Sequence, residues 1–356
     1  MRFASDARKA ILADLDSLGL IAEARVHEHE VGHSDRSKTP IEPFLSEQWF
    51  VRMGDVEGGV RLGDRTIAPG LAQAAIDAVA DGRVKITPER YAKGYTDWLS
   101  QKRDWCISRQ LWWGHRIPVW TAPTAAADEM SKVLLTHDPD GQMFCTKRRG
   151  DGALLICSRS ETADRTLENL AERLAIEVKR DDDVLDTWFS SALWPLSTMG
   201  WPQEGTSLAA DDQLLPYYYP TSVLSTAREI LTLWVARMVM FGLYCQGQIP
   251  FRRVYIHAVI QDGSGRPMKK SLGNGVDPVD IVESHGADAL RFTLTSMATE
   301  NQDIRLPVVK DAATGKNTSP RFDVGRHFAN KVWNASVIAS LDIITNGLAP
   351  AASARS

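Results

Sequence analysis

The sequence is poor in cysteine, and its four cysteines lie far apart. Cys106, Cys145, Cys157 and Cys245 form no CxxC pair in a chain of 356 residues. Zinc sites and small disulfide-stabilised domains need closely spaced or regularly paired cysteines. We therefore expect neither a disulfide framework nor a cysteine zinc site, and we expect a reducing cytoplasm as the compartment.

The sequence also lacks a long apolar run, an export signal and an excess of positive charge. Its longest apolar stretch, residues 230–244, contains Arg237 and is shorter than the ~20 residues that a membrane-spanning helix needs. Residues 1–10 carry several charges where an export signal would have an apolar core. Because the net charge is −4, any contact with nucleic acid must come from a local basic patch.

Apolar residues make up 44% of the sequence, which is enough for a globular core, and their periodicity indicates an α/β fold. Helices are predicted over residues 5–19, 68–80, 88–99, 222–244, 286–297 and 322–341. Strands are predicted over residues 133–135, 153–157 and 254–260, with an extended segment at 25–53 and a linker at 306–320. The alternation of strands and helices after residue 183 predicts a parallel sheet.

The strongest chemical signal is a glycine-bearing loop with two lysines after the strand predicted at 254–260. The loop runs from Gln261 to Asn274 and contains Lys269 and Lys270. Open α/β sheets bind their ligands at the carboxyl ends of the strands. Lysine ammonium groups at that edge can follow the negative charge that develops on a polyphosphate. A solvated hairpin with two surface lysines is the alternative interpretation of the loop alone.

Several motifs in a fixed order make the sequence similar to a known family. Met268-Lys-Lys-Ser-Leu-Gly-Asn274 resembles the second signature of class I aminoacyl-tRNA synthetases, usually written KMSKS and followed by a small residue, Gly and Asn. The other motifs follow the order found in the valine-specific members of that family. They are DWCISRQLWWGHRIPVW at 104–120, DVLDTWFSSALWP at 183–195, LWVARM at 233–238, VYIH at 254–257, GADALRF at 286–292 and FANKVWN at 328–334.

The resemblance implies an α/β fold with the C-terminal half of a class I synthetase nucleotide-binding core, which is Rossmann-like, and part of an α-helical anticodon-binding domain. Residues 1–80 are then the end of an editing insertion and a connective segment. Residues 81–306 are the C-terminal half of the catalytic core. Residues 307–356 are a linker and the start of the helical domain.

The family's first signature, HIGH, does not occur in the sequence. The first strands of the nucleotide fold are therefore expected to be missing, the chain by itself is expected to be inactive, and another chain is one possible source of the missing half. The ligands that the resemblance implies are ATP with Mg²⁺, valine and tRNA-Val, with no role for a membrane and no metal ligand among the residues.

The resemblance also implies an amino-acid pocket. Trp188 and Trp234 match the two tryptophans that form its walls, and Ile230 matches the residue that completes its apolar floor. Glu229 stands where the family has Asp, near the substrate's ammonium group or the ribose hydroxyls. Plain core packing is the alternative interpretation of the two tryptophans.

The second signature supplies the residues expected to act on ATP. Lys270 matches its second lysine and is expected both to bind the phosphates and to be catalytic, together with Lys269 and Ser271. Met268 is expected to contact ATP, and His257 matches a position beside the adenine. An ordinary histidine at the end of a strand is the alternative interpretation of His257.

Three departures from the family pattern bear on this site. Ala227 and Arg228 replace the usual pair of glycine and an aromatic residue, which affects the fine geometry of the pocket. Pro267 occupies the place of the signature's first lysine, and Lys269 stands where a serine is usual. Proline restricts the backbone, so the loop is expected to be stiff, while Lys269 can restore part of the lost charge.

A zinc peptidase is one competing interpretation, because His29-Glu-Val-Gly-His33 matches the HExxH pattern. That chemistry needs both histidines on one face of a helix. Gly32 and the polar flanks give no helical period here, and the segment is predicted to be extended. Ser34 and Ser37 stand where some members of the family have a cysteine pair, which weighs against a structural zinc site.

A non-catalytic RNA-binding or scaffold fragment is the other competing interpretation. Basic and aromatic residues that could pair with and stack on single-stranded RNA are concentrated in one segment. They are Lys102, Arg103, Arg109, Trp112, Trp113 and Arg116. Tryptophan-rich segments are more often part of a core.

Overall fold

The computed structural model describes residues 4–34, 37–41, 45–62, 65–67, 69–202, 214–299 and 302–346. The chain consists of two compact units, Met1–Glu47 and Gln48–Ser356. The first unit contains α1 (Ala4–Ser17), which confirms the helix predicted at 5–19, and the apolar side chains of Ile11, Leu12 and Leu18 are exposed. None of the helices among the described residues has the length and apolar character needed to span a bilayer.

The second unit contains helices of very different lengths. They are α2 (Leu71–Ala80), α3 (Arg90–Leu99), α4 (Ala127–His137), α5 (Glu161–Arg173), α6 (Thr187–Ala192), α7 (Trp194–Ser197), α8 (Leu214–Tyr218), α9 (Ala236–Gln246), α10 (Pro278–His285), α11 (Ala287–Met297) and α12 (Arg321–Asn346). A π-helix, Leu231–Val235, runs directly into α9, and short 3₁₀ turns lie at Thr124–Ala126, Arg228–Ile230 and Lys270–Leu272. The helices predicted at 68–80, 88–99, 286–297 and 322–341 are confirmed with small shifts of their ends.

The strands of the second unit are short. They are β1 (Phe50–Val51), β2 (Val60–Leu62), β3 (Arg65–Ile67), β4 (Lys85–Thr87), β5 (Trp105–Cys106), β6 (Ser108–Arg109), β7 (Val119–Ala122), β8 (Phe144–Arg148), β9 (Leu154–Ser158), β10 (Lys179–Arg180), β11 (Val184–Leu185), β12 (Thr221–Thr226), β13 (Phe251–Ile256), β14 (Ile260–Asp262), β15 (Ile304–Leu306), β16 (Val309–Lys310) and β17 (Asn317–Thr318). Strands β1 and β5, β2 and β3, and β6 and β11 form antiparallel pairs.

A parallel sheet with the strand order β12-β13-β4 lies in the core of the second unit, as the alternation of elements predicted. Val254 of β13 pairs with Leu224 of β12 and with Ile86 of β4, and all three side chains are buried. Residues of α2, α3, α6 and α9 belong to the same hydrophobic cluster. The unit is therefore an α/β fold whose sheet is covered by helices.

Two predicted elements around this sheet are wrong in their bounds. The helix predicted at 222–244 begins with a strand, because Thr221–Thr226 is rich in β-branched and hydroxyl residues and buries only Leu224 and Thr226. Helical structure starts at Arg228, two residues before the apolar run that begins at Ile230. The strand predicted at 254–260 is two strands, since β13 ends at Ile256 and β14 belongs to a different sheet.

Residues 119–180 form a module with its own core, which no motif in this part of the sequence predicted. Antiparallel strands in the order β10-β7-β9-β8 carry α4 and α5, and their apolar side chains form a separate cluster. The strand predicted at 153–157 is confirmed as β9. The strand predicted at 133–135 is wrong, because these residues lie in α4. The buried residues of this helix, Ala127, Met130 and Leu134, follow helical spacing.

The C-terminal part of the second unit is built on the parallel pair β14 and β15 and on the hairpin of β16 and β17. Helices α11 and α12 pack together, and a Cβ atom at Gly325 would lie 2.4 Å from the carbonyl oxygen of Ala289. Only glycine allows that approach. Part of the linker predicted at 306–320 is thus the β16–β17 hairpin, and α12 follows it.

Candidate functional site

The carboxyl ends of the parallel strands bring three chain segments to one edge of the sheet. Thr226 at the end of β12 pairs with Ile256 at the end of β13, and Tyr255 pairs with Thr87 at the end of β4. The segments that leave this edge begin at Pro88, Ala227 and His257. This is the edge at which parallel sheets bind ligands.

The two predicted pocket tryptophans lie on neighbouring elements. Trp188 is in the first turn of α6, where the side chain of Asp186 accepts a hydrogen bond from its backbone N–H at 3.3 Å. Trp234 is in the π-helix, and its Nε1–H donates to the carbonyl oxygen of Ser191 in α6 at 2.9 Å. Ser191 is three residues after Trp188, so the Trp234 indole is held against the helix that carries Trp188. Both are partly buried against the main core.

Arg228 and Glu229 leave the edge of the sheet in a 3₁₀ turn, and both are exposed. The Arg228 guanidinium pairs with Asp303 at 2.8 Å and lies 3.3 Å from Glu229. It also hydrogen-bonds the Tyr91 hydroxyl, and that contact raises the pKa of Arg228. These partners account for the guanidinium of the unusual Arg228, while Ile230 ends the turn half-buried before the π-helix.

Asp303 links this turn to the strand that carries the predicted ATP loop. Besides Arg228, its carboxylate accepts hydrogen bonds from the backbone N–H of Val259 at 3.1 Å and from the side-chain amide of Gln261 at 2.9 Å. Its side chain is 14% exposed. Sequence reasoning missed Asp303, because a single Asp ahead of a short strand carries no pattern of its own.

The predicted ATP loop is organised by a buried pair, Asp262 and Asn274. The Asp262 carboxylate accepts hydrogen bonds from the backbone N–H of Ser264 at 2.9 Å, from that of Arg266 at 3.0 Å, and from the Asn274 side chain at 2.9 Å. The hydrogen bonds from Asn274 and Arg266 lower the pKa of Asp262 to about 2. The Asn274 side-chain oxygen in turn accepts the Lys269 backbone N–H at 2.9 Å. Lys269 is thus held through its backbone N–H.

The residues predicted to act on ATP are spread along this loop. Lys269, Lys270 and Ser271 are exposed, and Lys270 begins a 3₁₀ turn that ends before Gly273, whose φ is 60°. Met268 is half-buried against the C-terminal cluster of apolar residues. His257 is exposed directly after β13, and its ring Nδ1 lies 3.0 Å from the Ala258 carbonyl oxygen.

The hairpin of β16 and β17 holds the same loop from outside. The side-chain amide of Asn317 donates to the carbonyl oxygens of Gly273 at 2.9 Å and Gly275 at 2.8 Å. These carbonyls flank Asn274, so the loop is fixed on both sides of that residue. The linker prediction for 306–320 gave no indication of this contact.

The HExxH segment in the first unit has none of the geometry of a zinc peptidase. Its backbone is not helical, and His33 makes an isolated bridge with Pro40. The His33 ring Nδ1 lies 2.8 Å from the Val31 carbonyl oxygen, and the rings of His27 and His29 stack on each other at 5.4 Å. Two histidines are therefore not presented on one helical face. Nowhere in the described ranges do three or more His, Cys, Asp or Glu side chains group as metal ligands would.

In the basic and aromatic segment after residue 101, some cations form ion pairs within the fold, while two tryptophans are exposed. Lys102 pairs with Asp55 at 2.7 Å, and Arg109 pairs with buried Asp186 at 2.8 Å. Trp112 and Trp113 are 95% and 88% exposed. The two tryptophans are therefore not core residues of this chain, although the two cations have structural partners.

Comparison with known proteins places the chain in one family. The family described as tRNA synthetases class I (I, L, M and V) matches residues 7–307. The valine–tRNA ligase of Rhodopirellula baltica is 44% identical over 94% of this chain and 35% of that protein. The valine–tRNA ligase of Carboxydothermus hydrogenoformans is 44% identical over 93% of this chain and 30% of that protein. The chain thus spans about a third of the length of the curated relatives that it matches.

Among solved structures, the crystal structure of a LeuRS–tRNA–LeuAMS ternary complex from Agrobacterium radiobacter K84 is similar at a TM-score of 0.44 and 24% identity. That similarity covers 65% of this chain and 28% of the other chain.

Proposed function

Because the chain belongs to the class I tRNA synthetases that include the isoleucine, leucine, methionine and valine enzymes, we propose that it is part of a valine–tRNA ligase. One structural observation carries the proposal. Arg228 and the predicted Glu229 leave the carboxyl end of β12, and Asp303 connects Arg228 to Gln261 in β14, the strand that leads into the predicted ATP loop. The identity to two valine–tRNA ligases along nearly the whole chain supports valine as the substrate.

In the proposed reaction, an oxygen of the valine carboxylate attacks the α-phosphorus of ATP. The bond from that phosphorus to the oxygen bridging the α- and β-phosphates breaks, and pyrophosphate leaves with the negative charge. A hydroxyl at the 3′ end of tRNA-Val then attacks the valyl carbonyl and releases AMP. Such chemistry needs orientation and electrostatic stabilisation, and it needs little covalent work from side chains.

We assign the side chain of valine to the space between Trp188, Ile230 and Trp234. Two half-buried indoles and a branched aliphatic chain suit an apolar, β-branched substrate. The exposed carboxylate of Glu229 lies at the edge of this region and is a suitable partner for the substrate's ammonium group or the ribose hydroxyls.

We assign the phosphates of ATP to the loop that carries Lys269, Lys270 and Ser271, with Met268 and His257 near the nucleoside. Lys270 follows directly after the residue that Asn274 holds by its backbone, so the backbone from which its side chain extends is fixed. Mg²⁺ would come with ATP, since Mg²⁺ in such sites is largely held by phosphates and water.

The remaining assignments follow from the same family relationship. We propose that residues 1–80 are the end of an editing insertion and a connective segment, and that 81–306 is the C-terminal half of the catalytic core. Residues 307–356 then begin the domain that binds the anticodon of tRNA-Val, with the cytoplasm as the place of action.

Valine-dependent exchange of pyrophosphate into ATP tests the proposal in a hybrid enzyme. In this hybrid the 356 residues replace the aligned stretch of the Rhodopirellula baltica valine–tRNA ligase, and the unaltered ligase is the positive control. We expect exchange with valine well above that with leucine, isoleucine or methionine. A preference for one of those three, or no exchange with any of the four, would overturn the proposal.

A further inference from the structure

We propose that a buried cluster of Arg237, Trp105 and Asp186, here called the Arg237 triad, sets the positions of both tryptophan walls and so determines which side chain the pocket accepts. The inference rests on the proposed function of the pocket. It assigns Asp186 and Arg237 as positioning residues, because the pocket walls are the groups that they hold.

Asp186 connects the triad to Trp188. One oxygen of its buried carboxylate accepts the backbone N–H of Trp188 at 3.3 Å and thereby caps α6. Its other oxygen accepts the indole N–H of Trp105 at 2.9 Å and a guanidinium N–H of Arg109 at 2.8 Å. Its own backbone N–H donates to the Ile107 carbonyl oxygen at 2.7 Å. The first turn of α6, which carries Trp188, is therefore fixed by a carboxylate that itself has little freedom.

Arg237 connects the triad to Trp234. A guanidinium N–H of Arg237 donates to the Leu233 carbonyl oxygen at 2.9 Å, and that carbonyl belongs to the peptide bond joining Leu233 to Trp234. The peptide lies in the π-helix, a type of turn that is rare and is often found at functional sites. Arg237 thus holds the backbone at the point from which the second indole leaves.

Trp105 joins the two connections. The Arg237 guanidinium carbon lies 4.1 Å from the centre of the Trp105 ring, and the Trp105 indole N–H is the one that Asp186 accepts. Because Trp105 contacts both Arg237 and Asp186, a displacement of either residue is transmitted to both Trp188 and Trp234. The sequence signal was available, since Asp186 directly precedes a helix in DVLDTWFSS and Arg237 interrupts an apolar run.

The burial of Arg237 favours a positioning role over a purely stabilising one. Its side chain is 6% exposed, and within the described structure its Nε has no hydrogen-bond partner. Burial lowers the pKa of Arg237 to about 10, and the charge of Asp186 opposes that change. An apolar side chain of similar volume would fill such a place without the cost of desolvating a charge. A role in stability alone does not explain why a guanidinium is there.

The chain contains a chemically matched control in the module at 119–180. Arg180 lies over the ring of Trp120 at 5.5 Å, and Asp164 accepts both the Trp120 indole N–H and an Arg180 guanidinium N–H at 3.0 Å. The Arg180 Nε also lacks a partner within the described residues. This Arg180 triad shares the arginine–tryptophan and tryptophan–aspartate contacts of the Arg237 triad, with the difference that Arg180 also pairs with Asp164, and it lies in a separate core.

Fluorine NMR of the 356-residue chain tests the positioning role without any need for activity. The tryptophans are replaced by 5-fluorotryptophan, and the Trp188 and Trp234 resonances are assigned with single Trp→Phe variants. We expect both resonances to move in Arg237→Met and in Asp186→Asn, and to stay in place in Arg180→Met. Unmoved resonances in both of the first two variants, or equal movement in Arg180→Met, would overturn the proposal.

The hybrid enzyme tests the consequence for selectivity. Arg237→Met should raise KM for valine about tenfold and lower the preference for valine over isoleucine by a similar factor, because pocket discrimination between these side chains is of that order. KM for ATP should stay unchanged, Arg237→Lys should recover part of the loss, and Arg180→Met should leave KM for valine unchanged. A fall in kcat with an unchanged KM for valine would mean a structural role only. If the unaltered hybrid fails to use valine, the proposed function fails, while the NMR result still decides the positioning role.

Discussion

Lys270 is the residue on which the proposed activation chemistry depends most. Its side chain is exposed on a loop whose backbone is fixed by Asn274 one residue earlier, so the ammonium group can follow the leaving pyrophosphate. Charge that acts mainly in the transition state affects kcat more than substrate binding. In the hybrid enzyme we expect Lys270→Ala to lower kcat for pyrophosphate exchange by about 100-fold or more, with little change in KM for ATP.

Lys269→Ala is the comparison for that measurement. The contact between Lys269 and Asn274 uses the backbone N–H, which the substitution keeps, so the variant removes only the ammonium group, and we expect a loss of kcat smaller than that of Lys270→Ala. The assignment of Lys270 is wrong if its removal raises KM for ATP at an unchanged kcat.

Asp262 gives the loop a defined response to acid. Hydrogen bonds from Asn274 and Arg266 lower its pKa from 3.8 to about 2 in the folded protein. The folded-state pKa is depressed, so the stabilisation is fully present above pH 3.8 and is lost as the pH falls towards about 2. We expect the amide NMR shifts of Ser264 and Arg266, which donate to this carboxylate, to titrate with a midpoint near 2. A midpoint near 3.8 would show that the carboxylate is not held as described.

The hairpin of β16 and β17 is the element that ties the loop to α12. Asn317 provides the tie, because its amide donates to carbonyl oxygens on both sides of Asn274. We expect Asn317→Ala to increase amide hydrogen exchange across residues 269–276, with Lys310→Ala in the same hairpin as the control. Exchange that is equal in the two variants would mean that the hairpin does not restrain the loop.

The elements that sequence reasoning predicted correctly are those with a strong local pattern. Helices α2, α3 and α11 have clear apolar periods, and β9 buries every second residue, as a strand with one buried face does. Strand β12 was missed because its alternation is short and merges with the apolar run after Ile230. Its strand character comes from pairing with β13 in the parallel sheet, which is a tertiary effect.

The same difference holds for the candidate site: residues in local sequence motifs were predicted, and residues that act through contacts distant in sequence were not. Lys270, Trp188 and Trp234 lie in motifs that can be quoted from the sequence. Asp303 and Asn317 could not be predicted, because each acts on residues more than forty positions away and lies in a segment without a pattern. Pairings between distant segments depend on how the chain folds, and no local spacing encodes them.

At the scale of the whole molecule, the two signatures of the family are not both present. The 356 residues contain the second signature and no HIGH sequence. We therefore expect the purified chain to show no valine-dependent pyrophosphate exchange, while the hybrid enzyme does. Exchange by the isolated chain at a rate near that of the hybrid would contradict this prediction and would mean that the described residues form a sufficient ATP site.

In the proposed valine–tRNA ligase, selectivity is a property of the whole enzyme, because the proposed pocket and the proposed editing insertion would share the task. A pocket walled by Trp188, Ile230 and Trp234 excludes a larger side chain by its size. It rejects threonine only through the cost of burying a hydroxyl group. The expected discrimination is roughly 100-fold, a magnitude known for valine-specific enzymes of this class and not obtained from this structure. Threonine, and not isoleucine, should therefore be the troublesome competitor.

A hybrid enzyme that lacks the editing insertion isolates the contribution of the pocket. With valine, threonine and isoleucine supplied in turn, we expect it to release threonyl-tRNA that the hybrid with the insertion hydrolyses. Isoleucine should remain a poor substrate of both enzymes, because the insertion plays no part in excluding it. Isoleucine activated as well as valine would mean that these three residues do not form the pocket, or that the chain belongs to another branch of the family.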